Sequence, residues 1–152
     1  MLRIGKLTDY AVVLLAHMAR HAHRCVHPAT DLADATGIPL PTVQKLLKTL
    51  QREGYVQSMR GARGGYALVD DPAQTSLLRL LESLEGPIAM TDCAADAPSG
   101  CSCAPDCTVG SHWSIIGDAI ASALGQVTLL DLARNRPRAG GVSPAPHPGD
   151  LP

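Results

Sequence analysis

The chain has 152 residues, 45% of them apolar, with three tyrosines, one tryptophan and no phenylalanine. That is enough for one domain or one and a half, with an aliphatic core. The net charge of −1 hides an uneven distribution: residues 1–70 carry nine Lys/Arg against five Asp/Glu, and residues 71–132 carry one against eight. A basic front half points to a polyanion-binding module. A secretory leader is not expected, because Asp9 interrupts the approach, His17 and Arg20 close the short apolar run Ala11–Ala16, and no small-x-small cleavage site follows. No segment approaches the roughly 20 apolar residues of a membrane helix. The expected location is the cytoplasm, where cysteines more often hold metal than pair as disulfides.

Leu7, Ala11, Leu14 and Met18 recur at helical spacing and predict an amphipathic first helix. It fades into a polar stretch where His17, His21, His23, His27 and Cys25 gather. A solvated helix end accounts for these side chains better than a metal site. Ala29–Glu53 then reads as two helices. The first ends at Thr36 and Gly37 takes the turn; the second opens near Leu40, with Pro39 and Pro41 where amides have no helical partner anyway. Val43, Leu46, Leu47 and Leu50 form its apolar stripe, and Thr42, Gln44, Lys45, Lys48 and Arg52 lie opposite. Two helices joined by a glycine turn, the second with a basic outer face, read as a helix-turn-helix.

Gly54 ends that helix. Tyr55–Met59 and Tyr66–Val69 predict two strands around Arg60-Gly61-Ala62-Arg63-Gly64-Gly65. A basic, glycine-rich tip suits a wing: Gly64 lets backbone approach phosphates, and Arg60 and Arg63 reach a groove. Thr75 or Ser76 caps a leucine-rich helix that stops at Gly86-Pro87.

Four of the five cysteines follow within Cys93–Cys107, in a stretch rich in Ala, Gly, Ser, Pro and Asp with no helical or strand period. Soft ligands packed into a segment that cannot bury itself suggest a bound metal or cluster. The spacing C-x7-C-x-C-x3-C lacks the repeated tight pairs of most zinc sites, although structural zinc or redox-active thiols remain the alternative. No nucleophile–base constellation or phosphate loop appears, so an enzyme is not expected. Trp113, Ile116, Ile120, Ala123, Val127 and Leu130 step by three and four, a heptad seam expected to join two copies of the chain, with Gly117, Ala121 and Gly125 as a small-residue strip beside it. From Asn135 the chain is Pro-, Gly- and Ala-rich and is expected to be disordered.

The motifs KLTDYAV at 6–12 and MRGARGGYAL at 59–68, with spaced cysteines before a Trp-led helix, make residues 1–134 resemble the Rrf-type winged-helix regulators, the group of IscR and NsrR. Within it the chain is most similar to regulators of SUF-type iron–sulfur assembly genes. The resemblance implies a mainly α fold with a small β-hairpin wing: a winged helix-turn-helix over 1–86, a cluster-binding loop over 87–112, a dimerisation helix over 113–134 and a tail over 135–152. It implies a homodimer that binds a double-stranded DNA operator. It also implies a [2Fe–2S] or [4Fe–4S] cluster held by Cys93, Cys101 and Cys107, with Cys103 a rival for the middle position. The usual histidine three residues after the last cysteine is absent; Gly110 stands there and His112 is displaced by two. Asp9 matches the first-helix aspartate that serves some members as fourth ligand. A carboxylate complementing a helix N-terminus explains Asp9 equally well.

Overall fold

The computed structural model describes residues 3–22, 26–89, 91 and 109–134. The element order is α1 (Lys6–Arg20), α2 (Ala29–Thr36), α3 (Leu40–Arg52), β1 (Val56–Met59), β2 (Gly65–Leu68), α4 (Leu77–Glu85), α5 (Gly110–Gln126) and α6 (Leu129–Ala133). The fold is mainly helical with one antiparallel hairpin, as the sequence pattern requires.

α1 is the floor of the core. Ala11, Leu14, Leu15 and Met18 are buried along it, and α2, α3, α4, α6 and β2 all touch it. Leu7 is the exception to the sequence pattern: it remains 46% exposed, and Leu15 takes the inward position. α2 contributes Leu32, and Gly37 ends it with φ 72°, a left-handed turn glycine adopts without strain. α3 buries Val43, Leu46, Leu47 and Leu50, the stripe expected of it. Tyr55 leads into β1; its hydroxyl donates to the Arg79 carbonyl at 3.1 Å and lies 3.0 Å from Ser83 Oγ, which ties the hairpin to α4.

The hairpin pairs Val56 with Leu68 through Met59 with Gly65. A third segment joins its outer edge. His27 and Tyr66 exchange backbone hydrogen bonds of 2.8 and 2.9 Å. His27 is therefore buried, not part of a solvated helix end. This contact explains Gly65: a Cβ there would lie 2.5 Å from the His27 carbonyl oxygen.

The helix expected over 113–134 is two helices. α5 starts earlier, at Gly110, and stops at Gln126; Val127 is extended, and α6 begins at Leu129. The cause is a capping box: the Thr128 side chain accepts from the Asp131 amide, and the Asp131 carboxylate accepts from the Thr128 amide at 3.0 Å. α6 then folds back on α1, burying Leu129 and Ala133. Val127 and Leu130 accordingly leave the seam.

Candidate nucleic-acid interface and candidate ligands

Pro39 opens α3, and the helix sends Pro41, Gln44, Lys45, Lys48, Thr49 and Arg52 to one exposed face, where they line a shallow groove of about 350 Å³. The spacing of three and four that buries the leucines fixes this opposite face. Gln44, Lys45 and Lys48 fall where the sequence placed them. Thr42 does not: it is half-buried on the flank, outside the groove. Arg52 also lies on this face, as its spacing predicts, though it meets Glu53 at 2.9 Å, and the structure adds Thr49. Such a face presents cations for phosphates and an amide side chain for base edges.

Arg60 and Arg63 are exposed at the hairpin tip. Gly64 has a turn to close: its N–H donates to the Gly61 carbonyl at 2.9 Å, and a Cβ would sit 2.5 Å from the Met59 carbonyl oxygen. Gly61 takes φ 120° with open space around it. The glycines thus shape the tip that carries the two arginines.

Cys93, Cys101, Cys103 and Cys107 lie outside the described residues, as do Cys25 and His23. Of the candidate ligands, Asp9 and His112 can be placed. Asp9 is exposed on the first turn of α1, in a cleft of about 640 Å³ that it shares with Arg3, Ile4, Gly5, Lys6 and Glu85. Glu85 ends α4, so Asp9 stands beside the point where the chain departs toward Cys93. His112 is exposed in the first turn of α5. Glu85 was not legible as a site residue. Its Oε1 accepts the Gly5 N–H at 2.7 Å. The Thr8 hydroxyl first, and the Gly5 amide second, hold its carboxyl below the usual range. Among the described residues, no three His, Cys, Asp or Glu side chains are arranged to hold a metal. His17 lies between His21 and His27, with ring centroids 4.3 and 6.5 Å apart.

Along α5, Trp113, Ile115 and Ile116 remain exposed, Ile115 by 65%. The small-residue strip is divided. A Cβ on Gly125 would meet Leu78 at 3.7 Å, so that end faces α4; Gly117 has open space. No helix among the described residues is long and apolar enough to cross a membrane.

A helix-turn-helix with an exposed polar, basic second helix, followed by an arginine-tipped hairpin, defines a winged-helix DNA-binding protein. The chain belongs to the Rrf2 family of iron-dependent transcriptional regulators, whose family model matches residues 4–135. It is a regulator and not an enzyme. It is 27% identical over 135 residues to the HTH-type transcriptional regulator IscR of Xenorhabdus nematophila, covering 89% of this chain and 81% of that one. The IscR of Serratia proteamaculans is 26% identical over the same lengths. Among solved structures, CymR, the global cysteine regulator of B. subtilis, superposes with a TM-score of 0.72 at 26% identity, over 90% of this chain and all of that one. The IscR of T. potens gives 0.69 at 22% identity over 93% of both chains, a likeness of fold.

Proposed function

We propose that this regulator binds operator DNA as a homodimer in the cytoplasm, and that an iron–sulfur cluster held by Cys93, Cys101 and Cys107 sets its operator affinity. The observation that carries the DNA part is the groove on α3. Gln44, Lys45, Lys48 and Arg52 share one exposed face, and Arg60 and Arg63 project from the wing. Gln44 reads base edges, while Lys45, Lys48 and the wing arginines hold phosphates or enter the minor groove. Trp113 and Ile116, three residues apart on α5 and both exposed, supply the apolar face on which two copies meet. A dimer places two α3 helices about one helical turn of DNA apart.

The cluster part is supported by the cysteine spacing, by similarity to regulators named IscR, and by the family's description as iron-dependent. Asp9 fits as an oxygen donor: it is exposed and stands beside the end of α4. His112 is its rival at the start of α5, and Cys103 the rival of Cys101. Three thiolates and one weaker ligand make a labile cluster, which suits a sensor. Genes for iron–sulfur cluster assembly, of SUF type on the sequence resemblance, are the proposed targets.

Anaerobic purification with absorption spectra, iron and sulfide analysis, and operator titration with and without the cluster tests this. Cys93→Ala, Cys101→Ala and Cys107→Ala should each lose iron and converge on one operator affinity, and Cys103→Ala should retain it. A colourless wild type containing zinc would replace the cluster by a structural metal.

A further inference from the structure

α1 begins without a cap of its own. Its N-cap residue is Gly5, which has no side chain to accept a hydrogen bond from the first-turn amides. What another helix supplies is an acceptor for the N-cap amide itself. Glu85, the last residue of α4, reaches across 80 positions, and its Oε1 takes the Gly5 N–H at 2.7 Å. The same carboxylate is hydrogen-bonded by the side chain of Thr8, which is itself buried. A negative charge at a helix N-terminus also complements the helix dipole. The fit is close: a Cβ on Gly5 would lie 2.8 Å from Oε1.

Two features give this contact a role beyond capping. Gly86 follows at once with φ 92° and ends α4, so Glu85 holds the root of the cysteine-rich stretch. Asp9 follows Thr8 directly, its N–H bonded to the Gly5 carbonyl at 2.9 Å, and it shares the cleft of Glu85. Both residues that Glu85 grips, Gly5 and Thr8, thus belong to the turn that presents Asp9.

We propose that Glu85 is a positioning residue, a latch that fixes the first turn of α1, and with it Asp9, against the point where the chain leaves α4 for the cysteines. The functional half rests on the reading of Asp9 and the cysteines as joint ligands of one cluster; the latch itself does not. A glutamine in its place still offers an oxygen to the Gly5 amide and to Thr8, and an alanine offers none. If Glu85 were a ligand instead, glutamine would fail as alanine does.

Hydrogen exchange of the apo protein over residues 3–10 comes first. Glu85→Ala should raise exchange at the Gly5 amide about tenfold, and Glu85→Gln should stay within about twofold of wild type. Gly5→Ala, which crowds the carboxylate, should lie between them. Iron release to a chelator under anaerobic conditions comes second. Glu85→Ala should release iron about tenfold faster, the size of effect typical when a residue supporting a metal ligand is lost. Asp9→Ala should do the same, and the double variant should be no faster than Asp9→Ala alone, because Glu85 acts through Asp9. Unchanged exchange in Glu85→Ala overturns the latch. Additive release rates, or a Glu85→Gln as fast as Glu85→Ala, overturn its action through Asp9. A wild type without iron or sulfide sinks the cluster reading, and the exchange comparison then decides the latch by itself.

Discussion

Gly65→Ala isolates the join between the wing and the helical core. The substitution adds one carbon where the His27 carbonyl oxygen and carbon would stand 2.5 and 2.6 Å away and Pro28 N 2.8 Å away. All three are backbone atoms, so no rotamer change relieves the clash. β2 must move off the His27 segment, which breaks the pair of hydrogen bonds between His27 and Tyr66, 2.8 and 2.9 Å long, and opens buried His27 to water. At about 1 kcal/mol for each bond, with a further fraction for the exposed polar groups, the loss is about 2–3 kcal/mol. For a chain of this length that lowers Tm by about 6–10 °C. Gly37→Ala is the control: its φ is 72° but nothing lies within 4 Å, so backbone strain alone costs about 1 kcal/mol. Thermal and urea unfolding followed by circular dichroism measures both, and the operator affinity of Gly65→Ala should fall because the wing is no longer anchored. A Gly65→Ala as stable as wild type to within about 0.5 kcal/mol would refute the argument, since that is the level of an ordinary surface substitution.

Lys45→Ala with Lys48→Ala should weaken DNA binding across all sequences and flatten the plot of log K against log salt by about 1.8, two phosphate contacts at about 0.9 each. An unchanged slope in fluorescence anisotropy would remove α3's groove from the interface. Ile116→Glu places a charge in the apolar face of α5 and should give a monomer by light scattering at concentrations where wild type is a dimer; a monomeric wild type would end the dimer proposal. The depressed Glu85 carboxyl makes stability pH-dependent in one direction. Its contribution is complete above the ordinary carboxylate pKa and disappears as pH falls through its lowered folded value. Glu85→Gln should therefore flatten the acid limb of a Tm-against-pH curve, and a limb of unchanged shape would assign the acid loss to other carboxylates.

Much of the fold was legible because local chemistry and hydrophobic period agreed. Gly37, the two prolines of α3 and the leucine stripe all specify the same helix-turn-helix. The long C-terminal helix was misread because the period of three and four runs on through Val127 and Leu130. Thr128-x-x-Asp131 is a capping box in plain sight, and its local hydrogen bonds defeat the period. Leu7 was assigned inward by spacing alone, which cannot say where a helix's first turn outruns its neighbours. Gly65 was legible as a glycine of the tip but not as one forced by backbone at 2.5 Å, because the His27 edge comes from a segment 38 residues earlier. Glu85 was invisible for the same reason: its partner lies 80 residues away. The α3 face needed only one helix and was read almost whole, whereas the candidate ligands are spread over α1, the cysteine-rich stretch and α5.

The anchoring of α5 limits how a signal from the cysteines could travel. Its C-terminal end is pinned: the Leu77 N–H donates to the Val127 carbonyl and the Leu129 N–H to the Thr75 carbonyl, both at 2.8 Å. α6 is then fixed to α1 by Leu129 and Ala133 and by Arg20 Nε, which donates to the Ala133 carbonyl at 2.8 Å. The N-terminal half has Trp113, Ile115 and Ile116 in solvent and begins directly after the cysteine-rich stretch. On the proposed reading, losing the cluster frees the N-terminal half of α5, which carries the apolar face, while its pinned C-terminal end at Gly125–Val127 acts as a pivot. The distance between the two wings of a dimer then changes without any refolding of the winged helix, and operator affinity and cluster occupancy are linked reciprocally. Trp113 is the sole tryptophan, so it reports this movement directly. Its emission, or the fluorine resonance of a fluorotryptophan at 113, should shift on cluster loss, while amide exchange over Leu129–Ala133 stays constant. Faster exchange in α6 together with a silent Trp113 would place the moving part on the other side of the pivot.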